Sequence, residues 1–177
     1  MSEPDPTKIF RAPGRLIANP SGYDPSGSHG GTVLGAVTGV YFDPGIRYEP
    51  VYHDELGKVG DYVAMYEEPL LYAVFRSWDA DVLNRLFPSA SGGVVTLGGL
   101  SFESLAANKA AAILYAPDDP EAPGVYLVNA VPITDMSDRG MALSILRESN
   151  LFSMFMGLPS SLNNGLSGKM GKTSLIL

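Results

Sequence analysis

Residues 110–131 hold two apolar runs, Ala110-Ala111-Ala112-Ile113-Leu114-Tyr115-Ala116 and Val125-Tyr126-Leu127-Val128-Asn129-Ala130-Val131. Between them lies Pro117-Asp118-Asp119-Pro120-Glu121-Ala122-Pro123-Gly124. Both runs have strand length, and the second is rich in the β-branched and aromatic residues that suit a pleated surface. The prolines of the connection leave no helix a way across it, because each lacks an N–H and clashes with the preceding turn. The stretch reads as two strands joined by a loop.

Working upstream, the same texture recurs. Val33 to Phe42 reads as a strand ended by a turn at Asp43-Pro44-Gly45, with Ile46 to Glu55 as its hairpin partner and Pro50 marking an edge or bulge. A turn at Gly57-Lys58-Val59-Gly60 leads to a strand at Tyr62 to Tyr66, and another runs from Leu70 through Phe75. One helix interrupts the series. Asp79 suits an N-cap, Val82, Leu83, Leu86 and Phe87 fall on one face, and Pro88 ends it. A Gly-rich passage (Gly92, Gly93, Gly98, Gly99) follows.

Downstream, Met141 to Leu146 and Leu151 to Met156 form a hairpin around Arg147-Glu148-Ser149-Asn150. Leu151-Phe152-Ser153-Met154-Phe155-Met156 is apolar on both faces, so both faces should be covered. Two readings stay open: a sandwich-core strand, or a strand whose outer face meets another subunit.

The ends look different. Residues 1–31 read as an extended N-terminal arm, broken by Pro4, Pro6, Pro13, Pro20 and Pro25 and loosened by glycines. Ile9-Phe10 and Leu16-Ile17 inside it need somewhere to dock. Residues 159–177, rich in Ser, Gly and Asn, read as a flexible C-terminal tail. The expected fold is mainly β: residues 32–158 as a sandwich or barrel of about eight strands, with one short flanking helix.

Composition narrows the function classes. The 177 residues are 45% hydrophobic but only 18% charged, with 20 glycines and 14 prolines. That is a turn-rich β protein, or one whose surface is largely covered by partners. A net charge of −7 argues against nucleic-acid binding as the main activity and against an anionic membrane surface. The chain has no cysteine, hence no thiolate chemistry. Met1 to Arg15 lacks the basic and apolar blocks of a signal peptide.

Sequences that could carry chemistry fall short of it. Gly171-Lys172-Thr173 resembles the end of a phosphate loop, yet Leu166 stands where the earlier glycine is needed. His29 and His53 are the only histidines, one in a Gly/Ser loop and one in a Tyr-rich strand. No Gly-x-Ser-x-Gly elbow occurs. The pairs Asp54-Glu55, Glu67-Glu68 and Asp118-Asp119 each adjoin a turn signal, where solvated carboxylates are ordinary. No catalytic, cofactor-binding or metal residue is assigned, and no enzyme activity is expected.

The order of elements carries a resemblance. An arm leads to Gly30-Gly31-Thr32-Val33-Leu34-Gly35 and a strand ending Val40-Tyr41-Phe42-Asp43-Pro44. After the hairpin through Asp54-Glu55-Leu56-Gly57 come Phe75-Arg76-Ser77-Trp78-Asp79 and the helix to Leu86-Phe87-Pro88. The strand Lys109 to Pro117, its partner at Val125-Tyr126-Leu127 and a hairpin ending at Leu158-Pro159 close the series. Over roughly residues 30–160 this resembles the tail tube (major tail) proteins of tailed bacteriophages. It is more distantly similar to the tube proteins of type VI secretion. The resemblance implies a β-sandwich or barrel with a flanking helix and hexameric rings stacked into a hollow tube. It also implies other tail proteins as partners, a place in the virion tail, and double-stranded DNA passing through the lumen unbound. Catalysis, cofactor and membrane play no part in that picture. An acidic balance fits it, since like charge opposes phosphate adsorption. Two alternatives stand beside it: a tail terminator or baseplate ring protein of the same fold, or a carbohydrate-binding β-sandwich using the nine tyrosines and Trp78.

Overall fold

The two runs on either side of the proline-rich connection pair as expected. Strand β8 (Ala111–Pro117) lies antiparallel to β9 (Pro123–Pro132), with Ile113 opposite Leu127 and Tyr115 opposite Val125. The turn between them is held by Asp119, whose carboxylate accepts the Glu121 N–H and whose carbonyl accepts the Ala122 N–H, both at 3.0 Å. This computed structural model describes residues 13–24, 27–52, 58–78, 80–87, 90–96, 104, 106, 109–133, 141–142, 150–161 and 164–177.

From β8 the sheet grows in both directions until it closes. Strand β1 (Gly14–Ala18) pairs with β8, β2 (Thr32–Asp43) with β1, and β5 (Leu70–Trp78) with β2. Strand β11 (Asn150–Gly157) then pairs with β5, and its last residues return to β9 through Phe155–Pro132, Met156–Val131 and Gly157–Ala130. The result is an antiparallel barrel in the cyclic order β11-β5-β2-β1-β8-β9. Closure removes the sheet edges that would otherwise invite aggregation. Two strands hang from it: β10 (Met141–Ala142) on β11, and β12 (Gly168–Lys172) on the first half of β9. The chain is mainly β, as its series of strand-length runs and turns implied.

Alternation places one row of each strand inside. Leu16, Val37, Leu71, Phe75, Ile113, Leu127, Leu151 and Phe155 make one buried cluster. Helix α1 (Ala80–Leu86) adds Val82 and Leu86 to it, which agrees with the apolar spacing of that segment. The polar member of the β11 row, Ser153, donates its hydroxyl to the Ala73 carbonyl at 3.1 Å, so its burial costs little. Strands β6 (Ala90–Ser91) and β7 (Val94–Val95) form a small hairpin in the Gly-rich passage. On the outer wall a second cluster joins Ile17, Leu114 and Ala116 to Ile176 of the C-terminal helix α2 (Thr173–Ile176).

Three expectations are corrected. The arm does not extend to Gly31. Within it, β1 is an interior strand of the barrel, and Leu16 and Ile17 are wholly buried, one facing inward and one under α2. A five-residue strand between two longer neighbours needs only a short apolar run, so flanking Pro and Gly masked it. Residues 159–177 are not merely a tail either, since β12 extends the sheet and Ile176 seals the outer cluster.

The third correction concerns Asp43-Pro44-Gly45, which does not reverse the chain. Strand β3 (Ile46–Tyr52) continues onward from β2 and pairs with β4 (Val59–Glu67), not with β2. The Asp79 cap, Pro88, Ile9-Phe10, Asp54-Glu55 and the Arg147–Ser149 turn lie outside the described residues.

Candidate assembly surface

Strands β2 and β3 form one limb of a long hairpin, and β4 and β5 form the other. The barrel uses the inner half, β2 with β5, and the outer half, β3 with β4, projects as a separate two-stranded ribbon. The joint between them is specified by sequence. The Asp43 carboxylate accepts the Gly45 N–H at 2.8 Å, and the Gly45 carbonyl accepts the Glu68 N–H at 3.3 Å. Gly45 adopts φ +62°, and a Cβ there would lie 2.1 Å from the Glu68 carbonyl oxygen, so only glycine fits. Pro44 and Pro69 flank the joint on the two limbs and remove ladder donors, which uncouples the ribbon from the barrel sheet.

The ribbon has two unlike faces. Cross-strand register puts Tyr48 opposite Ala64, Pro50 opposite Tyr62, and Tyr52 opposite Val59. Tyr48, Tyr52 and Tyr62 share this face and are about 60% exposed, at 60%, 58% and 62%. The other face carries Arg47 opposite Tyr66, Glu49 opposite Val63 and Val51 opposite Asp61. There the Arg47 guanidinium sits 5.3 Å from the centre of the Tyr66 ring. Every residue of β4 is exposed, Val63 and Met65 included. A lone two-stranded hairpin is marginal in water, and this one leaves Tyr48, Tyr52, Tyr62, Val63 and Met65 exposed.

A second apolar surface lies on the barrel wall near the ribbon's base. Outward rows of β2, β5 and β11 align Thr38 with Val74 and Phe152, and Tyr41 with Tyr72 and Met154. Leu70 and Met156 make a further row. Tyr41 is exposed, its ring 5.7 Å from that of Tyr72, and the others are half-buried. Both faces of β11 are apolar in sequence, but the fold buries only one of them: Leu151, Ser153 and Phe155 face the interior, while Phe152, Met154 and Met156 face outward and are half-buried.

The residues tested for chemistry are scattered. Glu67 and Glu68 stand at the ribbon joint, whereas Asp118 and Asp119 occupy the β8–β9 turn. Gly171-Lys172-Thr173 closes β12 and opens the four-residue α2, and the Lys172 ammonium pairs with Glu121 at 2.5 Å. Burial, and then the Asp118 carboxylate, push the Tyr115 hydroxyl up to about 12, so it stays protonated at neutral pH. Among the described residues no group of three or more His, Asp or Glu side chains could hold a metal, and no helix is long and apolar enough to cross a membrane. His53, Asp54 and Glu55 lie outside the described residues.

His29 is different. It is buried in the β1–β2 loop and borders a recess of about 420 Å³ that Arg15, Tyr23, Asp24, Asp118 and Thr173 also line. In the sequence it is a histidine in a Gly/Ser loop, and no local motif marks it. Comparison with protein-family models gives no match, and no curated protein sequence matches the chain.

Proposed function

We propose that this chain is a self-assembling structural subunit, of the kind its element order resembles: a bacteriophage tail tube protein that forms hexameric rings and stacks them into a conduit for DNA. The observation that carries the reading is the β3–β4 ribbon, a projecting hairpin with exposed Tyr, Val and Met that its own barrel leaves uncovered. A second copy would cover it and complete the hydrogen bonding along its open edges. The apolar outer wall of β2, β5 and β11 offers a surface of matching character. With Glu49 and Asp61 among its charges, the ribbon contributes to the acidic balance that suits passing DNA.

In this reading the subunit works in a virion tail beside other tail proteins, and it binds neither cofactor nor membrane. Terminator and baseplate ring proteins share the same logic but stop at one layer. The shared face of Tyr48, Tyr52 and Tyr62 also suits stacking on a sugar, which is the second reading.

The triple variant Tyr48→Ser, Tyr52→Ser, Tyr62→Ser separates these readings. The substitutions lie on the exposed ribbon, so the barrel should keep its circular dichroism and melting behaviour. Sedimentation should fall from large assemblies to the monomer. Unchanged assembly by the variant would remove the ribbon from the interface. A wild-type protein that stays monomeric and binds oligosaccharide through these tyrosines would favour the sugar reading.

A further inference from the structure

We propose that His29 is an acid-sensitive latch on the loop between β1 and β2: protonating its ring releases residues 20–31 from the barrel wall. The described residues of this loop, 20–24 and 27–31, carry no helix or strand, and Arg15 on β1 donates to the Gly27 carbonyl at 3.4 Å. At its start Asn19 is fixed to β8, its N–H donating to the Ala112 carbonyl at 2.8 Å and its side-chain oxygen accepting the Ala112 N–H at 3.2 Å. Beyond that point His29 gathers the loop. Its carbonyl accepts the N–H groups of Ser21 (2.9 Å) and Gly22 (3.4 Å), and its ring Nδ1 accepts the Asp24 N–H at 3.0 Å. The Tyr23 ring lies 5.6 Å away, centre to centre.

That ring contact exists only for the neutral histidine. An Nδ1 that accepts a hydrogen bond carries no proton, so the ring proton sits on Nε2. Adding a second proton places an N–H on Nδ1 facing the Asp24 N–H. Two donors then oppose each other, the bond is lost, and a cation is confined in a residue only 5% exposed. The backbone adds to the tension, since His29 holds φ +48°, a region costly for a side chain with a Cβ. Opening relieves both. It would also uncover Ile17, against which Gly31 packs so closely that a Cβ on Gly31 would lie 2.8 Å from the Ile17 side chain.

The charged and titratable neighbours come from every element around the ring. Asp24, in the loop itself, favours the cation, and Arg15 on β1 disfavours it. Asp118 of the β8–β9 turn lines the same recess and lies 4.0 Å from Arg15, so it partly offsets that cation. Tyr23 and the Thr173 hydroxyl of α2 complete the lining, and Lys172 beside Thr173 pairs with Glu121. Burial outweighs the rest and holds the ring below its ordinary 6.5. The sign follows. In the open loop the ring titrates near 6.5, so the closed loop keeps its full stability above that pH. It loses stability as pH falls, until the ring protonates in the closed loop as well. Within that window the open fraction rises up to about tenfold per pH unit, the slope for one proton. The latch acts whether or not the chain assembles.

Hydrogen exchange of the full chain between pH 7.5 and 5, corrected for the intrinsic pH dependence of amide exchange, tests this directly. Amides in residues 20–31 should lose protection by up to about tenfold per pH unit below 6.5, while β8 and β9 stay protected. The variant His29→Asn keeps an acceptor near the Nδ1 position, tolerates positive φ and does not titrate, so its loop should show no such slope. A wild-type loop whose protection is flat down to pH 5 overturns the latch, as does an equal slope in the variant. Nitrogen-15 NMR of the wild-type imidazole gives a check that needs no substitution. Nδ1 should be unprotonated at pH 7.5 and titrate together with the Asp24 amide shift. An Asp24 amide that ignores the ring titration overturns the proposal.

Discussion

If β1 is a structural member of the barrel, single truncations in it should cost as much as truncations in any core strand. Leu16 and Ile17 are both wholly buried, but in different clusters. Leu16→Ala removes three carbons, worth about 2.4 kcal/mol at about 0.8 per carbon, and leaves a cavity among Val37, Phe75 and Ile113 that a closed barrel cannot collapse. A loss of about 3–4 kcal/mol follows. Ile17→Ala removes as many carbons, but its cavity lies beneath the four-residue α2, which can settle onto it. About 2.4 kcal/mol, the transfer cost with little cavity cost added, is expected there. Urea unfolding followed by far-ultraviolet circular dichroism, at a dilution where the protein is monomeric, measures both. The midpoints should shift with little change in slope, because the exposed area on unfolding is unaltered. A Leu16→Ala loss below about 1 kcal/mol, too small for a leucine truncated in a packed core, would refute the placement of β1.

Two further outcomes follow from the same structure. Removing residues 1–28 deletes β1 from between β2 and β8 and leaves both strands with unpaired edges, so the truncated chain should fail to fold; a native circular dichroism spectrum would return these residues to the role of an arm. Gly45→Ala puts a Cβ against the Glu68 carbonyl at a left-handed φ, and should cost more than about 1 kcal/mol or re-aim the ribbon, seen as lower stability or altered assembly; an unchanged variant would show the joint to be relaxed.

Much of the barrel is legible in the sequence because its longer strands carry their own punctuation. The proline-rich turn isolates β8 and β9, and the spacing of Val82, Leu83 and Leu86 marks α1. The misreadings share a physical cause. At Asp43-Pro44-Gly45 the residues of a tight turn serve as a bend within a limb, and only Glu68-Pro69 on the opposite limb reveals the difference. Strand β1 and the β12–α2 segment gain their stability from tertiary pairing and not from local preference, so five-residue segments among Gly, Pro and Ser read as arm and tail. Tyr48 and Tyr52 alternate in the sequence, which puts them on one face of a strand. That they stand clear of the barrel depends on the joint. The latch at His29 depends on contacts between the loop's two ends, which no periodicity encodes.

Electron microscopy of the purified wild-type chain, paired with sedimentation at micromolar concentration, bears most directly on the proposal that this is an assembling subunit. Rings with sixfold symmetry, stacked into hollow tubes, are the predicted result. A single 18.8 kDa species with no rings or tubes at any concentration would contradict it.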